Sequence, residues 1–151
     1  MKMNKLITVC FLLIFSISSM AQNKEVYMED KTDWEVFEEL NGVVFSSKVV
    51  EYHDLINDEH MEYYLVKLTN TTDVKMEIST KKTVWYDGEC FNCDSDDEEY
   101  TLNFTLEGSE EIKGNPVEKM YNNLVLYKKF LDYPVREATK FEFQNLTVKP
   151  E

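Results

Sequence analysis

Along the body of the chain, hydrophobic and polar positions alternate with a period of two far more often than with the 3.6-residue period of a helix. "YTLNFTLE" is the clearest case: Tyr100, Leu102, Phe104 and Leu106 share one face and polar residues take the other. A half-buried strand requires this, because successive side chains leave the pleat on opposite sides. Two further runs, "MEYYLVKLTN" and "VKMEISTKKTVWY", are separated by the turn-forming Thr71-Thr72-Asp73. In "DWEVFEELNGVVFSSKVVEYHD", Asn41-Gly42 sits between β-rich runs. Both residue types tolerate positive φ, so the pair predicts a two-residue hairpin. The last run, "ATKFEFQNLTV", aligns Phe141 with Phe143 and then changes phase before Leu146 and Val148, which predicts a bulge.

One segment reads both ways. In "PVEKMYNNLVLYKKFL", Val117, Met120, Tyr121, Leu124 and Leu131 lie near helical spacing behind Pro116, while "NNLVLYKKF" also reads as a strand. The expectation is a short helical turn near 117–121 and then a strand at about 123–131. Counting the runs gives about seven strands with turn signals about every ten residues. The fold class expected is therefore all-β: an immunoglobulin-like antiparallel β-sandwich. The inter-sheet cysteine pair with its tryptophan is absent, so the likeness is one of architecture.

The N-terminus breaks the alternation and changes the picture. "MKMNKLITVCFLLIFSISSMAQ" opens on Lys2 and Lys5, runs apolar from Leu6 to Ile17, and closes on the small-x-small triplet Ser19-Met20-Ala21. That is the layout of a secretory signal peptide. Its apolar stretch is short of the roughly 20 residues that span a bilayer, so no membrane insertion is expected after cleavage. Cys10 follows Val9, where a lipid-modified cysteine would need a small residue, and is read as part of the removed segment. The domain reading is a signal peptide at 1–21, a flexible lead at 22–30 and a single β-sandwich domain at 31–151. A chain of this size buries roughly two-thirds of its unfolded surface and needs no metal to build a core. The location expected is periplasmic or extracellular.

Charge narrows the partners. The formal net charge is −13, and loss of Lys2 and Lys5 takes it to −15. Nucleic acids and anionic lipid need Lys and Arg to replace their counterions, so no nucleic-acid binding is expected. The signal ending "MAQ", the "VKLTN" strand and the "WYDGECFNC" turn resemble small exported bacterial β-sandwich proteins. The resemblance implies a shape and a compartment, and carries no activity.

"WYDGECFNCDSDDEEY" is the one local arrangement suited to chemistry. A redox centre would want Cys90 at a helix N-terminus, but an acidic run and a strand follow, and negative charge disfavours the thiolate. A structural zinc site would need two further ligands nearby. The expectation is a local disulfide between Cys90 and Cys93, the cysteines that remain after the leader is removed. No cofactor is expected to be required, though the surrounding acids, Asp87, Glu89, Asp94, Asp96, Asp97 and Glu98, offer oxygen ligands for Ca²⁺. The EF-hand pattern fails, since Glu99 stands where the loop needs glycine and Thr105 where it needs glutamate.

Other candidates are dispersed. His53 and His60 bracket a loop in "HDLINDEH" and would approach each other across two antiparallel strands as a Zn²⁺ pair. Trp34, Trp85 and Tyr86 fall near strand ends, where an exposed ring can stack on a ligand. Gly42, Gly88, Gly108 and Gly114 are too scattered for any phosphate-binding loop or nucleophile elbow, so an enzyme is not expected. The chain reads as an exported acidic binding or interaction module for a protein or glycan partner. The alternatives are a Ca²⁺-dependent module on the 87–99 loop and a carbohydrate-binding sandwich.

Overall fold

The computed structural model describes residues 26–151, and the expected leader lies outside them. Ten strands run in chain order: β1 (Val26–Asp30), β2 (Glu35–Leu40), β3 (Val43–Asp54), β4 (Glu59–Asn70), β5 (Met76–Tyr86), β6 (Glu89–Cys90), β7 (Thr101–Leu106), β8 (Glu111–Lys113), β9 (Val125–Phe130) and β10 (Ala138–Pro150). Every pairing is antiparallel. Sheet A holds β1, β2, β3, β4, β8 and β9, and sheet B holds β5, β6, β7 and β10. The two pack face to face as a β-sandwich.

The strand count is ten where the alternation suggested about seven, for a geometric reason. β1 and β2 lie end to end along one edge of β3, against Val50–Asp54 and Val43–Ser47 respectively. β8 and β9 share the free edge of β4 in the same way, and β7 and β6 share that of β5. Three edge positions are thus each filled by two short strands.

β1 corrects the flexible lead expected at 22–30, since residues 26–30 are strand. Their own pattern is weak. They are extended because β3 continues far enough to give them a ladder. Residues 22–25 lie outside the described residues. The helical turn expected near 117–121 is displaced as well. Lys119 and Tyr121 take positive φ, Asn115 pairs with Met120, and a single 3₁₀ turn follows at Asn122–Leu124. The strand expected after it is present as β9.

The hairpin and the bulge form where the pattern placed them. Asn41 and Gly42 both take positive φ, and Leu40 pairs with Val43 across the turn. In β10 the register slips between Gln144 and Thr147 against β5, with Asn145 at positive φ. The core lies between the sheets. Val43, Phe45, Val66 and Leu68 of sheet A meet Met76, Ile78, Val84, Leu102, Phe104, Leu106 and Val148 of sheet B. In β7 the alternation is complete, with Leu102, Phe104 and Leu106 buried and the residues between them exposed.

Candidate functional site

The Cys-x-x-Cys loop completes the edge of β5. Asp87 and Gly88 both take positive φ, turning the chain so that Glu89 pairs with Tyr86 and Cys90 with Trp85. Between β6 and β7 the edge of β5 would be left without partners at Lys82 and Val84. Asn92, buried to 3 % exposure, fills the gap with its side chain. Its Oδ1 accepts from the Val84 N–H at 2.9 Å, and its Nδ2 donates to the Lys82 carbonyl at 2.8 Å. The neighbouring Phe91 N–H donates to the Val84 carbonyl at 2.9 Å. Cys90 and Cys93 flank this residue and stand at disulfide distance, with Cα atoms 5.8 Å apart. The amide of Asn92 therefore acts as one missing strand residue, and the cysteines clip it in place.

The acidic residues do not gather into a cation site. Asp87, Glu89, Asp94, Asp96, Asp97 and Glu98 are all exposed. Asp97 Oδ1 accepts from the Glu99 N–H at the start of a 3₁₀ turn, and Asp87 Oδ1 accepts from the Glu137 N–H at 3.1 Å. Among the described residues no group of three or more His, Cys, Asp or Glu side chains converges as a metal site.

The histidines do meet. His53 and His60 face each other in register across β3 and β4, with rings stacked 4.5 Å apart. The surroundings give the pair carboxylate partners. His60 Nε2 lies 2.7 Å from Glu51 Oε1 and Nδ1 lies 3.2 Å from Asp132 Oδ1. The Glu51 hydrogen bond, reinforced by Asp132, raises the His60 pKa above its ordinary value. Two carboxylates within hydrogen-bond reach favour the protonated form of the ring, in which both nitrogens donate. Glu51 is in turn held low by Lys31, 2.7 Å away, and by His60. The pair belongs to an ion-pair network.

The tryptophans are covered by lysines. Trp34 lies beneath Lys48 and Lys67, whose ammonium groups stand 5.0 and 4.7 Å from its ring centre, and Lys140 lies 4.5 Å from the Trp85 ring. Tyr86 differs from both, because it belongs to a continuous line of rings. Tyr100 meets Phe91 at 6.5 Å, Phe91 meets Tyr86 at 5.6 Å, and Tyr86 meets Tyr127 at 6.2 Å. Tyr127 then meets Phe130 at 5.2 Å and Phe130 meets Tyr133 at 5.1 Å. The ribbon starts at Tyr100, just before β7 of sheet B, and ends at Tyr133, beyond β9 of sheet A. Phe91 and Tyr133 are 55 % and 50 % exposed. The Arg136 guanidinium lies 5.1 Å from the Tyr86 ring and 6.0 Å from Phe91. Tyr127 is fixed by its hydroxyl, which donates to the Arg136 carbonyl and accepts from the Phe130 N–H.

Under the ribbon lies a cleft of about 140 Å³, bounded by Tyr86, Phe91, Tyr100, Leu126, Tyr127 and the side chain of Lys82. A larger hollow, about 370 Å³, lies against β5, β7 and β10. It lacks stacked rings, and its charged residues Lys149 and Glu77 already pair at 2.9 Å. The cleft is the better ligand site on chemistry, despite its size.

The chain matches no family model, no curated protein and no solved structure. Among the described residues no helix is long and apolar enough to cross a membrane.

Of the stacking candidates, only Tyr86 sits in the ribbon. Phe91, Tyr100, Tyr127, Phe130, Tyr133 and Arg136 were not singled out by the sequence, and no local pattern marks them as a set. Lys82 did leave a signal. On β5 the inward series is Met76, Ile78, Thr80, Lys82, Val84, Tyr86, so a lysine interrupts an otherwise core-facing run.

Proposed function

We propose that the protein is an exported binding module without catalytic activity, and that a carbohydrate chain docks along the six-ring ribbon. The observation that carries this reading is the unbroken line of rings from Tyr100 to Tyr133, reaching from sheet B to sheet A, with Phe91 and Tyr133 the exposed members. Aromatic faces left in water offer apolar area and a fixed geometry at low entropic cost, which suits repeated ring-bearing units. A polymer of such units meets several rings in succession, whereas Trp34 and Trp85 stand outside this line. Arg136, stacked on Tyr86 and Phe91, adds hydrogen-bond donors beside the rings. Export is supported by the leader-like N-terminus and by the cysteine pair at disulfide distance.

A glycan array read with the mature protein, followed by calorimetry on the ligands it identifies, tests the proposal. Phe91→Ala and Tyr133→Ala remove exposed rings with little effect on the core, and each is expected to weaken binding by about tenfold. Absence of binding across the array, or capture of a protein through the same rings, would overturn the carbohydrate reading.

A further inference from the structure

We infer that the cleft beneath the ribbon holds the carboxylate of a single acidic sugar residue, with Lys82 as its counter-ion. The inference rests on the carbohydrate reading above and adds the chemical class of the unit that occupies the centre of the ribbon.

Lys82 lies between Thr80 and Val84 on the inward face of β5, and Phe143 is opposite it on β10. Among the described residues its ammonium has neither an ion-pair partner nor a hydrogen-bond acceptor. The other lysines of β3, β4, β5 and β9 do have such partners: Lys48 with Asp30, Lys67 with Glu111, Lys81 with the Cys93 carbonyl, and Lys128 and Lys129 with Glu62. Lys82 instead lines the cleft together with Tyr86, Phe91, Tyr100 and Tyr127. Burial pulls its pKa below the ordinary lysine value, offset only in part by the charge of Glu99. A half-buried cation without an acceptor carries a desolvation cost that a bound anion removes.

The size and surroundings define the anion. At about 140 Å³ the cleft takes one ring-sized unit. Its walls are mostly apolar, with Tyr86, Phe91, Tyr100 and Tyr127 beside Val84, Val125 and Leu126, so the unit must present a hydrophobic face as well as a charge. Arg136 gives a second positive group at the mouth, and its pairing with Asp87 at 3.9 Å is loose. The strongly negative net charge and the exposed Glu98 and Glu99, next in the chain to Tyr100, repel a polyanion. An isolated carboxylate on an otherwise neutral saccharide satisfies all of these conditions.

The test titrates ¹⁵N-labelled mature protein with glucuronic, galacturonic and mannuronic acids, and with their methyl esters, which keep the ring and lose the charge. At least one acid is expected to shift the amides of Lys82, Phe91, Asn92 and Tyr127 with an affinity about tenfold above its ester. Lys82→Met keeps the length and the apolar stem of the side chain, and should abolish the preference for the acid. Circular dichroism of the variant confirms that it is folded, and the acid–ester comparison on unaltered protein needs no variant. Phe91→Ala should weaken acid and ester together. Equal binding of acid and ester that still depends on Phe91 overturns this inference and leaves the ribbon standing. Binding that does not depend on Phe91, or shifts confined to other surfaces, overturns both.

Discussion

Asn92 does with one side chain what a strand residue does with its backbone. Its amide supplies an acceptor to Val84 and a donor to Lys82 at a point where no strand reaches. Alanine at this position would leave both backbone groups buried and unpaired. Asn92→Ala is therefore expected to destabilise the fold by roughly 3 kcal/mol, measured by urea denaturation. A loss below about 1 kcal/mol would mean that water replaces the amide. His60 makes a pH prediction. Its folded pKa is raised above the ordinary 6.5, so its stabilisation is complete below that pH and is lost as pH rises through the folded value. Glu51 is held below its ordinary 4.5 and acts in the opposite direction: its contribution is present above that pH and lost as pH falls through the lower folded value. Lys31, Asp132 and His53 face the same pair, so stability should be highest between the two titrations. Melting temperatures across that range should fall on the alkaline side in the native protein, and His60→Gln should remove that fall.

The individual elements were the most legible part of the sequence. Period-two runs marked β4, β5, β7 and β10, and Asn41-Gly42 marked the β2–β3 turn, because these features are decided by neighbouring residues. Gly42 adds a tertiary constraint to its positive φ: a Cβ built there would lie 2.4 Å from Thr72 Cγ2. Gly42→Ala is expected to cost about 1–3 kcal/mol, and a neutral result in thermal melts would show that the turn relaxes around it. What could not be read locally was β1, a strand only because β3 extends beside it, and the pairing of two short strands along one edge. The cysteine loop was legible as a clip and not as a strand substitute, since that role depends on the gap left between β6 and β7. Replacing Cys90 and Cys93 with serine should lower stability by about 2 kcal/mol or less and leave the β-sheet spectrum intact, because the ring closed is short. Loss of that spectrum would show that the clip is needed for folding.

At the scale of the whole molecule, the sandwich follows from alternation, but the ribbon does not. Its members come from the β5–β7 region and from the β9 region, and they meet only when two sheet edges are brought together across the core. Tyr86 and Tyr127, 6.2 Å apart, are separated by most of the second half of the chain. No period in the sequence encodes such a meeting. The surroundings of the histidines were hidden in part for a related reason. His53 and His60 pair across β3 and β4, and Glu51 shares β3 with His53, but Asp132 reaches His60 from the segment after β9, whose proximity the local pattern does not show. The cysteine clip has an effect at this scale as well. Phe91, near the start of the ribbon, and Asn92, which holds the Lys82 carbonyl, are the two residues between Cys90 and Cys93. If a ligand grips Phe91 as proposed, thiol oxidation and binding are thermodynamically linked: as far as opening the disulfide loosens Phe91, the ligand makes the bond harder to reduce, and reduction weakens the ligand by the same factor.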